Sequence, residues 1–148
     1  MKRDLRKWLI GFTASVVVLP AMAHHSYAMF DLRKRLTVAG TVAKFEWTNP
    51  HSYVWVYVPR PGSLQEYDLY AFENGSPTMM TRHGWTKSVL KAGDRVSIDY
   101  SPLKDGRHGG HLARVTFADG RVLRGDPMAP GGGGSSAESP AIPAQTKP

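Results

Sequence analysis

The sequence predicts an all-β domain of five strands with one short helix, and three observations carry that prediction. Between Leu36 and Leu123 the apolar residues are largely β-branched or aromatic and come in runs of strand length. The runs end at clusters of Gly, Pro, Asn or Asp, the residues that turn a chain. Only one stretch, Ser76 to Gly84, carries helix start and stop signals.

The first strand lies in LTVAGTVAKFEWTNP and stops at Asn49-Pro50, while Gly40 inside it marks a bulge or sharp bend. In SYVWVYV the aromatics Tyr53, Trp55 and Tyr57 alternate with Val54, Val56 and Val58, so both faces of the second strand are apolar. Pro59, Pro61 and Gly62 form a hairpin loop before the third strand, EYDLYAF. SPTMMTRHG reads as the helix, with Ser76 as N-cap, Pro77 in the first helical position and Gly84 as the stop. DRVSIDYSP and LARVTFADGRVL supply two more strands joined by the loop LKDGRHGGH, and Asp119-Gly120 makes a tight turn within the last segment. Three strands, a helix, then two strands is the order of a small five-stranded Greek-key barrel of the OB type. An open meander or a small sandwich would use the same strands. Such barrels serve many unrelated purposes, so function must be argued from side chains.

The two ends read differently. MKRDLRK carries four Lys or Arg against one Asp, and Trp8 to Pro20 then runs without a charge for 13 residues, short of the roughly 20 needed to cross a bilayer. Ala21-Met22-Ala23 fits the small-x-small pattern of signal cleavage, so residues 1–23 are expected to be a signal peptide; retention as a membrane anchor is the alternative. The expected product is a soluble periplasmic or secreted chain of 125 residues, His24 to Pro148, with no stable membrane insertion. It divides into an arm over 24–35, the barrel over 36–124 and a Gly/Pro/Ser-rich tail over 125–148. That tail has too little apolar surface to offset its ordering entropy and is expected to be disordered. With no cysteine, neither disulfides nor thiolate metal sites are available. The whole chain carries +7, but the mature part has 15 Lys and Arg against 11 Asp and Glu, a net +4 spread along its length. That is poor support for a nucleic-acid partner.

AHHSYAMFD, GTVAKFEWTNPHSYVWVYV, ENGSP, RHGWTKSVLKAGDRVSIDYSPLKDG and ADGRVL together resemble the domain of unknown function 6152 family of secreted bacterial proteins. The similarity runs from His24 to about Leu123. It implies a secreted domain and assigns no activity.

Cleavage after Ala23 creates a ligand set that the precursor does not have. A free α-amine loses its proton at a pKa of about 7.7–8.0, and the imidazole of His24 can close a chelate with it. His25 adds a second imidazole, and His51 a third at the entrance of the second strand. Three imidazoles and an amine without thiolate make a nitrogen site of the kind Cu(II) prefers, similar to the histidine brace of secreted copper proteins. A copper ion is therefore the expected cofactor, held by His24, His25 and His51. The competing reading is a mobile terminus with a turn histidine at His51.

Other residues are weaker candidates. Glu73 ends a strand and is placed to hydrogen-bond a ligand histidine, and His111 joins a site only if the loop that holds it and His108 folds over the barrel mouth. His83 sits at a helix end, where a cation suits the dipole. Met79 and Met80 offer thioethers to Cu(I), although packing of a helix on a barrel is the commoner use of such a pair. The chain has no Gly-x-Ser-x-Gly, no His-Glu-x-x-His and no phosphate loop, so a non-enzymatic role is expected. Ser26 beside His25 is no nucleophile–base pair, since neighbours in an extended chain point opposite ways. The alternative function is a metal-free binding module: Tyr53, Trp55 and Tyr57, with Trp47 nearby, would form an aromatic platform for a glycan, a peptide or an envelope protein partner. Rings that face water would favour the platform, and rings in the core would remove it.

Overall fold

The computed structural model of the protein describes residues 27–63 and 65–126. The β-branched runs form β1 (Leu36–Glu46), β2 (Ser52–Pro59), β3 (Tyr67–Asn74), β4 (Arg95–Pro102) and β5 (Gly109–Phe117). A short α1 (Pro77–Thr81) lies between β3 and β4, and a three-residue β6 (Val122–Arg124) follows β5. The strands lie in the order β3-β2-β1-β4-β5-β6, and β5 also pairs with β3, which closes a five-stranded barrel. All pairings are antiparallel except the closing one. Strand order, closure and the helix between β3 and β4 agree with the OB type.

β1 reaches both neighbours by bending. Residues Leu36 to Thr41 pair with β4, and Thr41 to Glu46 pair with β2. Gly40 lies at the bend for a steric reason: a Cβ there would come within 2.3 Å of the Tyr57 carbonyl oxygen. The register slip expected near it falls slightly later, between Val42 and Lys44. At the opposite seam Gly109 has φ +132 and an added Cβ would lie 2.0 Å from the Ala71 carbonyl oxygen, so β3 and β5 close backbone against backbone. The sequence reading put Gly109 to His111 in a loop; they are instead the start of β5.

The interior is filled by Val54 and Val56 of β2, Phe72, Ile98, Leu112 and Trp85, all essentially without solvent contact. Helix α1 covers one end. Ser76 caps it by accepting from the Met79 N–H, and Gly84, at φ +84, follows its end. Met80 enters the core and the Trp85 indole N–H donates to the Arg124 carbonyl at 2.6 Å, which attaches β6 to that plug.

The arm and the chain beyond β6 are part of the domain. Phe30 is buried and bridges to Leu103, while the Asp31 N–H donates to the Pro102 carbonyl at 2.8 Å. Gly125, assigned to the tail by composition, donates its N–H to the Ala113 carbonyl at 2.8 Å, and Asp126 is buried. The packed domain therefore takes in Gly125 and Asp126, beyond the expected boundary at residue 124. The expected signal segment and residues 127–148 of the expected tail lie outside the described residues.

Candidate functional site

Alternation along β2 decides which side chains face out. Ser52, Val54 and Val56 are buried, so Tyr53, Trp55 and Tyr57 project from the outer surface, with Tyr57 48 % exposed. Register places Glu73 of β3 directly opposite Tyr53, and the parallel seam places His111 of β5 opposite Glu73. Three strands thus bring Tyr53, Glu73 and His111 to one patch of the outer wall. His51 enters the same patch from the segment before β2, after the cis Asn49-Pro50 bond.

The Glu73 carboxylate holds two partners. One oxygen lies 2.7 Å from His51 Nδ1, and the other accepts from the Tyr53 hydroxyl at 2.9 Å. Burial and this carboxylate together push the Tyr53 phenol up to about 12. The His51 ring keeps its Nε2 edge for another partner, and the side chain is 34 % exposed.

His111 would face water if the arm did not cover it. The rings of Tyr27 and Phe30 meet it edge-on, with centroids 5.2 and 5.4 Å away. Burial lowers its pKa to about 4; Asp126 opposes that shift, and Arg35 and His51 add to it. The imidazole is therefore neutral near pH 7. Asp126 Oδ2 lies 3.9 Å from His111 Nε2 and accepts a 2.6 Å hydrogen bond from the Tyr27 hydroxyl, whose own pKa is raised by burial and by that carboxylate. Sequence reasoning offers Tyr27 and Phe30 as apolar pins that hold the arm to the barrel, but it missed the hydroxyl bond of Tyr27 and missed Asp126, which lies in the supposed tail.

The remaining candidates divide. His24 and His25 lie outside the described residues. His108 parts company with His111: its ring stacks on Tyr70 at 4.7 Å and faces Asp68. His83 is exposed beyond α1. Among the described residues, no three His, Cys, Asp or Glu side chains converge closely enough to hold a metal ion. His51, Glu73, His111 and Asp126 therefore form a connected patch rather than a complete metal site.

Beside this patch runs the aromatic ledge. Trp55 donates its indole N–H to Glu46 at 2.8 Å, Glu46 pairs with Lys44, and the Tyr53 and Trp55 ring centres are 6.5 Å apart. Trp47 departs from the expected platform and packs against the core, 5.6 Å from the Phe45 ring.

Fold and patch define a small OB-like barrel with a histidine–carboxylate–tyrosine cluster on its outer wall, partly roofed by its N-terminal arm. The chain belongs to the family of unknown function DUF6152, whose model matches residues 13–113. That span takes in the arm, His51, Glu73 and His111, and ends before Asp126. No curated protein and no solved structure matches the chain.

Proposed function

We propose that this is a periplasmic or secreted copper-binding protein in which His24, made N-terminal by cleavage after Ala23, contributes its amine and imidazole to a site shared with His51 and His25. The observation that carries this reading is the His51–Glu73 pair. A carboxylate 2.7 Å from Nδ1 fixes the ring and leaves Nε2 for a metal, the arrangement common among metal-ligating histidines. The course of the arm supports it further. Tyr27 is held beside His111 by its bond to Asp126, and His24 lies three residues upstream, a reach of roughly 11 Å at about 3.8 Å per residue. On this reading Glu73 orients His51, and His111 is a neutral imidazole in reserve near the terminus.

Copper competition titration of protein that begins at His24 tests it. A version with one extra N-terminal residue loses the amine and should bind Cu(II) more weakly, and His51→Ala should lose on the order of tenfold to a hundredfold. His83→Ala should change nothing. Equal affinity in the native and extended forms would remove the terminal site.

The outward ledge of Tyr53, Trp55 and Tyr57 favours a second reading, a non-catalytic module that binds a glycan, a peptide or an envelope protein. Ligand-dependent tryptophan fluorescence that disappears in Trp55→Phe, with Cu(II) binding absent, would select it over the first.

A further inference from the structure

The corner where β3 leads into α1 holds an anomaly that the outer patch does not explain. Asn74 is 1 % exposed, and among the described residues neither its amide nitrogen nor its amide oxygen has a hydrogen-bond partner. A buried amide in that state is costly, and such groups mark positions where an ion or water is accommodated. The next residue shows what surrounds the corner. A Cβ built on Gly75 would lie 2.9 Å from Met80 Sδ, 3.3 Å from Met79 Sδ and 3.4 Å from the Asp126 carboxyl carbon. Two thioethers from adjacent residues thus approach one point beside a carboxylate, and a side chain at position 75 would press on the Met80 sulfur. Packing accounts for the apolar stem of Met80 in the core, but it gives no role to the unpaired amide.

Thioethers are soft ligands that select Cu(I) over harder divalent ions. We propose that the Asn74-Gly75 corner is a Cu(I) site, with Met79 and Met80 as sulfur ligands, the Asp126 charge favouring the cation and the Asn74 amide completing the shell. The site does not depend on His24, since it uses other donors for another oxidation state.

Anaerobic titration of the full secreted protein with Cu(I) held by a chromophoric chelator tests the proposal. Met79→Leu with Met80→Leu keeps the bulk of the core and should lower Cu(I) affinity by about tenfold or more, with the melting temperature nearly unchanged. Gly75→Ala places a methyl group at the point of convergence and should cause the same loss with both sulfurs still present. X-ray absorption of the Cu(I) form should show sulfur at about 2.3 Å, the usual metal–sulfur distance. Cu(II) affinity of the same variants should stay at the native value, so failure of this site is distinguishable from failure of the terminal one. If the double variant does not fold, Met79→Leu alone serves, because Met79 is only partly buried. Unchanged Cu(I) affinity in the leucine variants, or nitrogen and oxygen scatterers alone, would overturn the proposal and leave the sulfurs as packing and Asn74 hydrated.

Discussion

The Tyr27 hydroxyl donates to Asp126 across 99 positions of sequence, and this bond ties the N-terminal arm to a residue just beyond the last strand. Neither residue belongs to the barrel strands, yet together they roof His111. The segments that precede β1 and follow β6 are thereby joined into one structural unit.

Tyr27→Phe keeps the ring against His111 and removes only the donor. Withdrawing a partner from a buried carboxylate costs about 1–3 kcal/mol, which for a domain of this size lowers the melting temperature by roughly 5–15 °C. A thermal scan in which the variant melts with the native protein would show the bond to be energetically idle.

Shortening the chain separates domain from tail. Protein ending at Met128 should melt like the full chain, because the deleted residues have little apolar surface to pack. Protein ending at Arg124 loses the Gly125-to-Ala113 bond and the Asp126 acceptor, and should melt several degrees lower. Identical melting of the two truncations would put the boundary back at residue 124.

Acid should destabilise the metal-free protein through His111. Its folded pKa of about 4 lies below the ordinary histidine value of about 6.5, so below 6.5 the unfolded chain takes up a proton that the folded chain refuses. The contribution is fully present above pH 6.5 and is lost as pH falls towards 4. Imidazole NMR shifts should show His111 still neutral at pH 5.5. A His111 that protonates near the ordinary histidine value of about 6.5 would contradict the burial.

Gly40→Ala should be severe. Its methyl would meet the Tyr57 carbonyl of the neighbouring backbone, which cannot rotate away as a side chain would. β1 must then part from β2, and the variant should melt more than 10 °C lower or fail to fold, since 1 kcal/mol is worth about 4–8 °C here. Native-like melting by circular dichroism would show that the bend relaxes freely.

Local chemistry was legible wherever a backbone rule acts within a few residues. Ser76, Pro77 and Gly84 announced α1, and Gly40 announced the bend in β1. The inner face of β2 was not legible, because valines and aromatics are both apolar. Closure decides it: a narrow barrel takes the smaller valines inside and leaves Tyr53, Trp55 and Tyr57 outside. The start of β5 at Gly109 was hidden for a related reason, since glycines read as loop unless a facing backbone demands them. Of the outer patch, His51, Glu73 and His111 were singled out from the sequence and Tyr27 was expected only as an apolar pin of the arm, whereas Asp126 was not foreseen. The bond between Tyr27 and Asp126 joins segments on either side of the barrel, a contact that no local pattern encodes.

The seam between β3 and β5 has a temporal consequence. Glu73 and Tyr53 meet within a hairpin, but Glu73 and His111 become neighbours only when the sheet curls round and its last edge docks. A newly made chain with that edge still open already has the hairpin pair, while His111 is elsewhere. The complete cluster is thus a certificate of finished folding, and any ligand that needs both sides of the seam is refused until the barrel has shut.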